Sequence, residues 1–290
     1  SGYRTGFDLG DRVISLVRSG ANSRHLCVRA NRLVKVPDSI KDLHAAACIS
    51  EIYLAAFQAL HFEQKNGARY RKTSLTGKCV LVLGGATVLG RALIEVAVAA
   101  GCGTVYATGK EKQFEAISKT GGSPLGRDTR QWSSILIGKV DIVVGIDDTV
   151  GKSELRHEHM QLLRLGDGRV VLMTAPETGV KAVINLEERS EATTSGRKIH
   201  HYNVFEAWDE DIKQAKRDLS HLLKLLDEGA IRPKILERIP LGHVAKAQDL
   251  MDGKKLNGFI LCEPWIKGKK TKETGDKAPA ESTQAEFLDA

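Results

Sequence analysis

Three groups of residues have types and spacings suited to holding an anion. The first is Gly85, Ala86, Thr87, Val88, Leu89 and Gly90. Its outer glycines match the first and last positions of the dinucleotide fingerprint G-x-G-x-x-G, and Thr87 stands at the middle one. A turn of this kind opens a helix. The first N–H groups of a helix are unsatisfied and its dipole is positive at that end, so a pyrophosphate is stabilised there. The middle glycine ordinarily lets the backbone come close to the pyrophosphate, and Thr87 puts a side chain at that place. The same run has the length of a P-loop, but Arg91 and Ala92 stand where that loop needs Lys and Ser or Thr. Gly145 to Ser153 also ends in Gly-Lys-Ser, with a loop one residue too long.

The second group is Thr108-Gly109-Lys110-Glu111-Lys112, and the third is Arg127. NAD sites usually hold an acid near the end of the second strand, where it binds the ribose hydroxyls. Here Lys110 and Lys112 flank that end and suit a 2′-phosphate, with Arg127 as a third cation. The reading favours NADP(H) over NAD(H). Ordinary surface lysines at a helix start are the alternative.

These groups need a scaffold, and the flanking sequence predicts one. Cys79 to Leu83 is a short apolar run, the pattern of a strand buried on both faces. Val88 to Ala100 repeats small and apolar residues at helical spacing, Gly101 closes the helix, and Thr104 to Ala107 is a second buried strand. Strand, glycine turn, helix, strand is a βαβ unit. Further on, Glu111 to Lys119 is predicted as a helix and Thr120 to Asp128 as a loop. Val140 to Ile146 is a strand, Glu154 to Leu165 a helix, and Gly168 to Thr174 a strand. This alternation implies a parallel sheet.

Residues 1 to 40 read as β-rich, with strands at Val13–Val17, His25–Val28 and Leu33–Val36. Asp38 or Ser39 is positioned to cap a helix from about Asp42 to Phe62. Gln64 to Thr76 is polar and basic, a loop. Residues 177 to 208 give no clear pattern beyond a strand at Lys198–Tyr202. Asp209 to Asp227 is an amphipathic helix with Ile212, Ala215, Leu219, Leu222, Leu223 and Leu226 on one stripe. Pro233–Ile239, Val244–Met251 and Phe259–Cys262 read as strand, helix and strand. From Lys267 onward apolar residues almost vanish, which predicts a disordered tail.

The whole chain sets the bounds. Its 290 residues, 42% hydrophobic and 27% charged, suit a soluble globular protein of one large or two modest domains. No apolar run reaches the length of a membrane span, and the first residues do not read as a secretory leader. Five dispersed cysteines suit a reducing, intracellular (cytoplasmic) setting, with an organelle not excluded. The net charge of +7 comes from scattered Lys and Arg without interleaved aromatics, which argues against nucleic acid. His157-Glu158-His159 lacks the i, i+4 spacing of a helical zinc pair, and no two cysteines are at C-x-x-C spacing, so no metal is expected. Gly121-Gly122-Ser123-Pro124-Leu125 misses the G-x-S-x-G of a hydrolase.

Taken in order, three stretches resemble the medium-chain dehydrogenase/reductase superfamily, in its zinc-free quinone-oxidoreductase and enoyl-reductase branch. They are Gly10-Asp11-Arg12-Val13 with Leu33-Val34-Lys35-Val36-Pro37-Asp38; Ala45-Ala46-Ala47 through Ala56, Gln58, Ala59 and Leu60; and Gly229-Ala230-Ile231-Arg232-Pro233 with Pro240-Leu241, Ala247 and Gly258. The resemblance implies an α/β protein: a Rossmann-type doubly wound parallel sheet with a partial GroES-like, β-rich catalytic domain. It divides the chain into a partial catalytic domain (1–43), a Rossmann domain with its connecting helix (44–230), a return segment (231–266) and the tail (267–290).

Lys112 and Arg127-Asp128-Thr129 look similar to a lysine and an Arg-Asp-Thr stretch of enoyl-reductase domains, which implies Lys112 and Asp128 as proton donors. The implied substrate is a small enone or quinone, and the implied assembly a homodimer or a larger complex. Family members carry a much longer stretch before the Gly-Asp-Arg-Val turn. The expectation is therefore an oxidoreductase-like chain that is inactive in isolation; the alternative is a non-catalytic Rossmann module that senses a dinucleotide or serves as a scaffold.

Overall fold

The computed structural model describes residues 6–61, 63, 74–145, 157–173, 195–253 and 257–266. Near the N-terminus, β1 (Val13–Ile14) pairs antiparallel with β2 (Val34–Lys35). The expected strand at His25–Val28 is not formed, and that stretch is mostly exposed. A strand needs a ladder partner, and none of the described residues supplies one.

The long helix expected from Asp42 is three pieces: α1 (Leu43–Ala47), a π-helical turn (Ile49–Tyr53) and α2 (Leu54–His61). Its cap is Asp42 rather than Asp38 or Ser39. The Asp42 carboxylate accepts from the N–H groups of His44 and Ala45, both at 3.0 Å, which satisfies two donors of the first turn.

The centre of the molecule is a six-stranded sheet. It comprises β3 (Cys79–Leu83), β4 (Thr104–Gly109), β5 (Ser123–Gly126), β6 (Ile142–Gly145), β7 (Arg169–Met173) and β8 (Lys198–Tyr202). Their spatial order is β5-β4-β3-β6-β7-β8, with every pair parallel. Strand β5 lies inside the stretch expected to be a loop. Helices α3 (Val88–Ala99), α4 (Phe114–Lys119), α5 (Ser133–Leu136) and α6 (His157–Leu162) connect the strands.

Both faces of the sheet are buried, as a continuous apolar strand requires. Val80, Val82, Ile142, Val144, Val171 and Met173 enter a core shared with α2, α3 and the helix α8 described below. The alternating residues Leu81, Leu83, Val143, Val170 and Leu172 enter a second core with Trp132, Leu136, Met160, Leu162 and Leu163. The side-chain period of two thus feeds two opposite layers. At the N-terminal edge, Asp141 is buried and its carboxylate accepts from Cys79 N–H at 2.8 Å and Lys78 Nζ at 3.2 Å. That fixes β6 against β3.

The helix expected at 209–227 is two helices, α7 (Val204–Glu210) and α8 (Ile212–Asp227). Asp211 leaves helical geometry between them and caps α8 by accepting from Gln214 N–H. Strand β9 (Ile235–Ile239) pairs in parallel with β10 (Phe259–Cys262) across α9 (Val244–Gly253). Ile14, Leu16, Val34 and Val36 belong to the same apolar cluster as α2, α3 and α8. Among the described residues the N-terminal stretch therefore has no separate core. The tail 267–290 and most of the unread stretch from 177 lie outside the described residues. None of the described helices is long and apolar enough to cross a membrane.

Candidate functional site

The order β5-β4-β3-β6-β7-β8 reverses direction between β3 and β6. In open parallel sheets the crevice beyond the strand ends at such a switch point is where ligands bind. Register aligns those ends: Leu83 is opposite Gly145, and Gly109 is opposite Gly126. The loops after β3, β4 and β5 therefore emerge along one edge. These loops, the end of β4 and the start of α3 carry the candidate residues named from the sequence.

The loop after β3 is held from within. Gly84 has φ +74°, a conformation open to glycine. Its N–H donates to Thr108 Oγ1 at 2.9 Å, and Gly85 N–H donates to the Thr108 carbonyl at 2.8 Å. Thr108 is buried and braces the loop. At Gly90 a Cβ would meet the Gly84 carbonyl oxygen at 2.1 Å. Only glycine lets α3 start this close to the turn.

Thr87 is the N-cap of α3. Its hydroxyl donates to the Gly84 carbonyl at 2.8 Å and accepts from Gly90 N–H at 3.0 Å. The side chain is folded back into the turn, and it occupies one of the N–H groups that an anion would use. The N–H groups of Ala86, Val88 and Leu89 form no hydrogen bond with the described residues. These three donors sit at the positive end of a twelve-residue helix. The turn therefore retains the features an anionic pyrophosphate needs, at reduced donor count.

The cations are on the neighbouring loops. Lys110 follows β4, and its N–H donates to Gln113 Oε1 at 2.9 Å, which shapes a short 3₁₀ turn. Lys112 is in that turn and Arg127 follows β5; the side chains of Lys110, Lys112 and Arg127 are exposed. None of the three forms an ion pair with the described residues. Glu111 is exposed between the two lysines. It is an acid of the kind that binds ribose hydroxyls, and the sequence reading passed over it. Asp128 caps the next 3₁₀ turn by accepting from Arg130 N–H at 3.2 Å, and pairs with Arg130 Nε at 2.9 Å. Its carboxylate is thus engaged by a neighbouring cation.

A second cluster was not foreseen. Glu95, two turns into α3, is buried; it accepts from Tyr53 Oη at 2.7 Å, Arg91 Nε at 2.9 Å and Arg232 N–H at 2.8 Å. Burial, with the neighbouring carboxylate second, pushes the Tyr53 phenol far above its usual range, so it stays a donor. The available signal was an acid between Ile94 and Val96 on an otherwise apolar helix. Among the described residues no group of three or more His, Cys, Asp or Glu side chains is placed to hold a metal ion.

Known proteins give a consistent placement. A family model described as "Zinc-binding dehydrogenase" matches residues 126–258. The chain is 25% identical over 269 residues to a synaptic vesicle membrane protein VAT-1 homolog of Rattus norvegicus. That alignment covers 88% of this chain and 64% of the relative. The chain thus spans about 64% of the length of that relative. In fold it is similar to a human VAT-1 homolog-like protein, with TM-score 0.67, 19% identity, and coverage of 91% of this chain and 74% of the other. It is also similar to a quinone oxidoreductase from Coxiella burnetii, with TM-score 0.56, 18% identity, and coverage of 80% and 64%. With the matched dehydrogenase model, the long alignment and the switch-point sheet in hand, the chain is similar to the medium-chain dehydrogenase/reductase superfamily, in its quinone-oxidoreductase-like branch.

Proposed function

We propose that this chain binds a nicotinamide dinucleotide at the C-terminal edge of the sheet and prefers NADP(H) to NAD(H). The observation that carries the reading is the trio of open N–H groups at Ala86, Val88 and Leu89, beside three exposed cations on the adjoining loops. The turn from Gly85 to Gly90 receives the pyrophosphate, as unsatisfied helix N–H groups do for anions. Lys110, Lys112 and Arg127 receive the 2′-phosphate by charge-assisted contacts. Gly145 lets the end of β6 lie close against β3: its φ is +125°, and a Cβ there would meet the Leu83 carbonyl at 2.5 Å.

When bound, the dinucleotide supplies hydride transfer, here to an enone or quinone. The chain's own part is to hold and orient it. The partial catalytic domain (1–43) and the return segment (231–266) form the far side of the crevice. Among the described residues the sheets of these two segments are two-stranded. Hydride transfer needs a water-poor cleft, so the isolated chain binds dinucleotide without appreciable turnover and acts as a sensing or scaffold unit, as a homodimer or within a larger assembly.

The test is one preparation with two measurements. NADPH and NADH are titrated by fluorescence, then NADPH oxidation is followed with a panel of quinones and enones. Saturable binding with NADPH tighter is expected, without enzyme-dependent oxidation. Absence of binding by either nucleotide overturns the site. Oxidation at about 1 s⁻¹ or faster, an ordinary enzyme rate, overturns the inactivity.

A further inference from the structure

The Glu95 cluster joins three parts of the chain that are far apart in sequence. Its carboxylate is buried and receives a hydrogen bond from the π-helical turn (Tyr53), one from its own helix (Arg91) and one from the backbone after α8 (Arg232). Arg232 is held on both sides of its backbone, because Arg91 Nη2 also donates to its carbonyl at 3.3 Å. The two α3 side chains therefore grip one residue's N–H and C=O. From Arg232 the chain runs directly into β9, and Lys234 accepts from Phe259 N–H at 2.8 Å at the start of β10. Tyr53 reaches the same strand pair independently, since its ring stacks on Phe259 with centroids 6.4 Å apart and planes at 22°.

Arg91 is the residue immediately after Gly90, in the first turn of the helix whose N-terminus forms the proposed pyrophosphate site. A buried carboxylate with three donors is costly to dislodge, because any lost partner leaves a buried polar group unpaired. Movement or stiffening of the first turn of α3 is thus transmitted to Arg232 and Phe259 through short, directional bonds.

We propose that Tyr53, Glu95 and Arg91 are positioning residues that couple occupancy of the glycine turn to the β9–β10 pair. This rests on the dinucleotide reading above. The cluster fixes the α3 start against the π-helical turn, and binding at the turn orders β9 and β10 through Arg232. The consequence is a division of labour. The glycine turn determines affinity, and the cluster determines whether binding is felt on the opposite side of the crevice.

The test is hydrogen–deuterium exchange on the full chain, with and without saturating NADPH, for wild type, Tyr53→Phe and Glu95→Gln. Tyr53→Phe removes one hydroxyl and keeps the ring on Phe259, so it should fold. In wild type, NADPH should slow exchange both at 84–95 and at 231–239 with 257–262. In Tyr53→Phe, NADPH affinity should stay within about threefold. Protection at 84–95 should persist, and exchange at 231–239 and 257–262 should be about tenfold faster and insensitive to NADPH, the expected result of losing one buried hydrogen bond at a local opening. Glu95→Gln keeps the shape without the charge and should give a similar pattern.

Protection of β9–β10 that is absent in wild type, or unchanged in both variants, while NADPH still protects 84–95, overturns the coupling and leaves the dinucleotide site intact. Failure of NADPH to protect 84–95 in wild type overturns the dinucleotide site itself, and the coupling with it.

Discussion

Thr87→Gly should lower stability and raise dinucleotide affinity at the same time. The threonine hydroxyl spans the turn, donating to Gly84 O at 2.8 Å and accepting from Gly90 N–H at 3.0 Å. Removing it loses the cap and the hydroxyl bond and adds backbone freedom to the unfolded chain. Together these cost about 1–2 kcal/mol. For a protein of this size that lowers Tm by roughly 2–8 °C. The same change releases Gly90 N–H, adding a fourth open donor to those of Ala86, Val88 and Leu89. It also clears the side chain from the place where the fingerprint has its middle glycine. A hydrogen bond to a charged group contributes about 1.5–3 kcal/mol net, so NADPH should bind about tenfold tighter or better. Thr87→Ser keeps the hydroxyl and should change neither quantity much. The assay is a thermal melt and an NADPH titration on all three proteins. Weaker or unchanged NADPH binding by Thr87→Gly, with the stability loss present, would refute the idea that this side chain and the pyrophosphate compete for one N–H.

Four other outcomes follow from the geometry. Lys112→Ala should narrow the NADPH–NADH difference by about 1–3 kcal/mol, and Glu111→Ala should widen it; equal titration curves for both cofactors in wild type would remove the argument. Asp141→Ala removes a buried carboxylate's contacts with Lys78 and Cys79 N–H, so unfolding should be easier by about 3 kcal/mol with NADPH affinity unaffected; an unshifted melting curve counts against it. Gly90→Ala must displace the Gly84 carbonyl, so both Tm and NADPH binding should fall, by about 1–3 kcal/mol in stability. His200 is buried, with its pKa lowered to about 4 by burial and then by Arg169 and Lys198. The unfolded chain binds the proton at its ordinary pKa, so stability declines as pH drops from about 6.5 to about 4, by up to about 3 kcal/mol. Melts across that range should lose this slope in His200→Leu.

What the sequence disclosed is what hydrophobic periodicity can carry. Cys79–Leu83 and Val88–Ala100 were legible because a strand buried on both faces is uniformly apolar and a helix against it is not. Strand β5 was not legible, for Ser123-Pro124-Leu125-Gly126 has no such pattern. It is a four-residue edge strand, where proline is tolerated because one side of the ladder is unpaired. The break at Asp211 was hidden for a different reason. The apolar stripe of α8 begins at Ile212, and an acid just ahead of it reads equally well as a helical residue or as a cap. The π-helical turn at Ile49–Tyr53 leaves the composition of a helix unchanged, so the local sequence does not mark it.

The site divides along the same line. Glycine positions are readable because a missing Cβ has few other uses, and the 2.1 Å approach at Gly90 accounts for one of them. Polar side chains are ambiguous, because one residue type serves a ligand or the fold equally well. Thr108, taken as a cofactor contact, is buried and accepts from Gly84 N–H, and Thr87 spends its hydroxyl on capping. Asp128, taken as an acid, has a cation at 2.9 Å. For Thr108 the partner is the turn after the neighbouring strand, an adjacency that depends on strand order, which local sequence does not encode; for Thr87 and Asp128 the partners lie within three residues, and the residue type leaves open whether they are used. Lys110, Lys112 and Arg127 keep their side chains in solvent, so their part in binding rests on charge and position alone. The NADPH preference is therefore the part of the site most exposed to experiment.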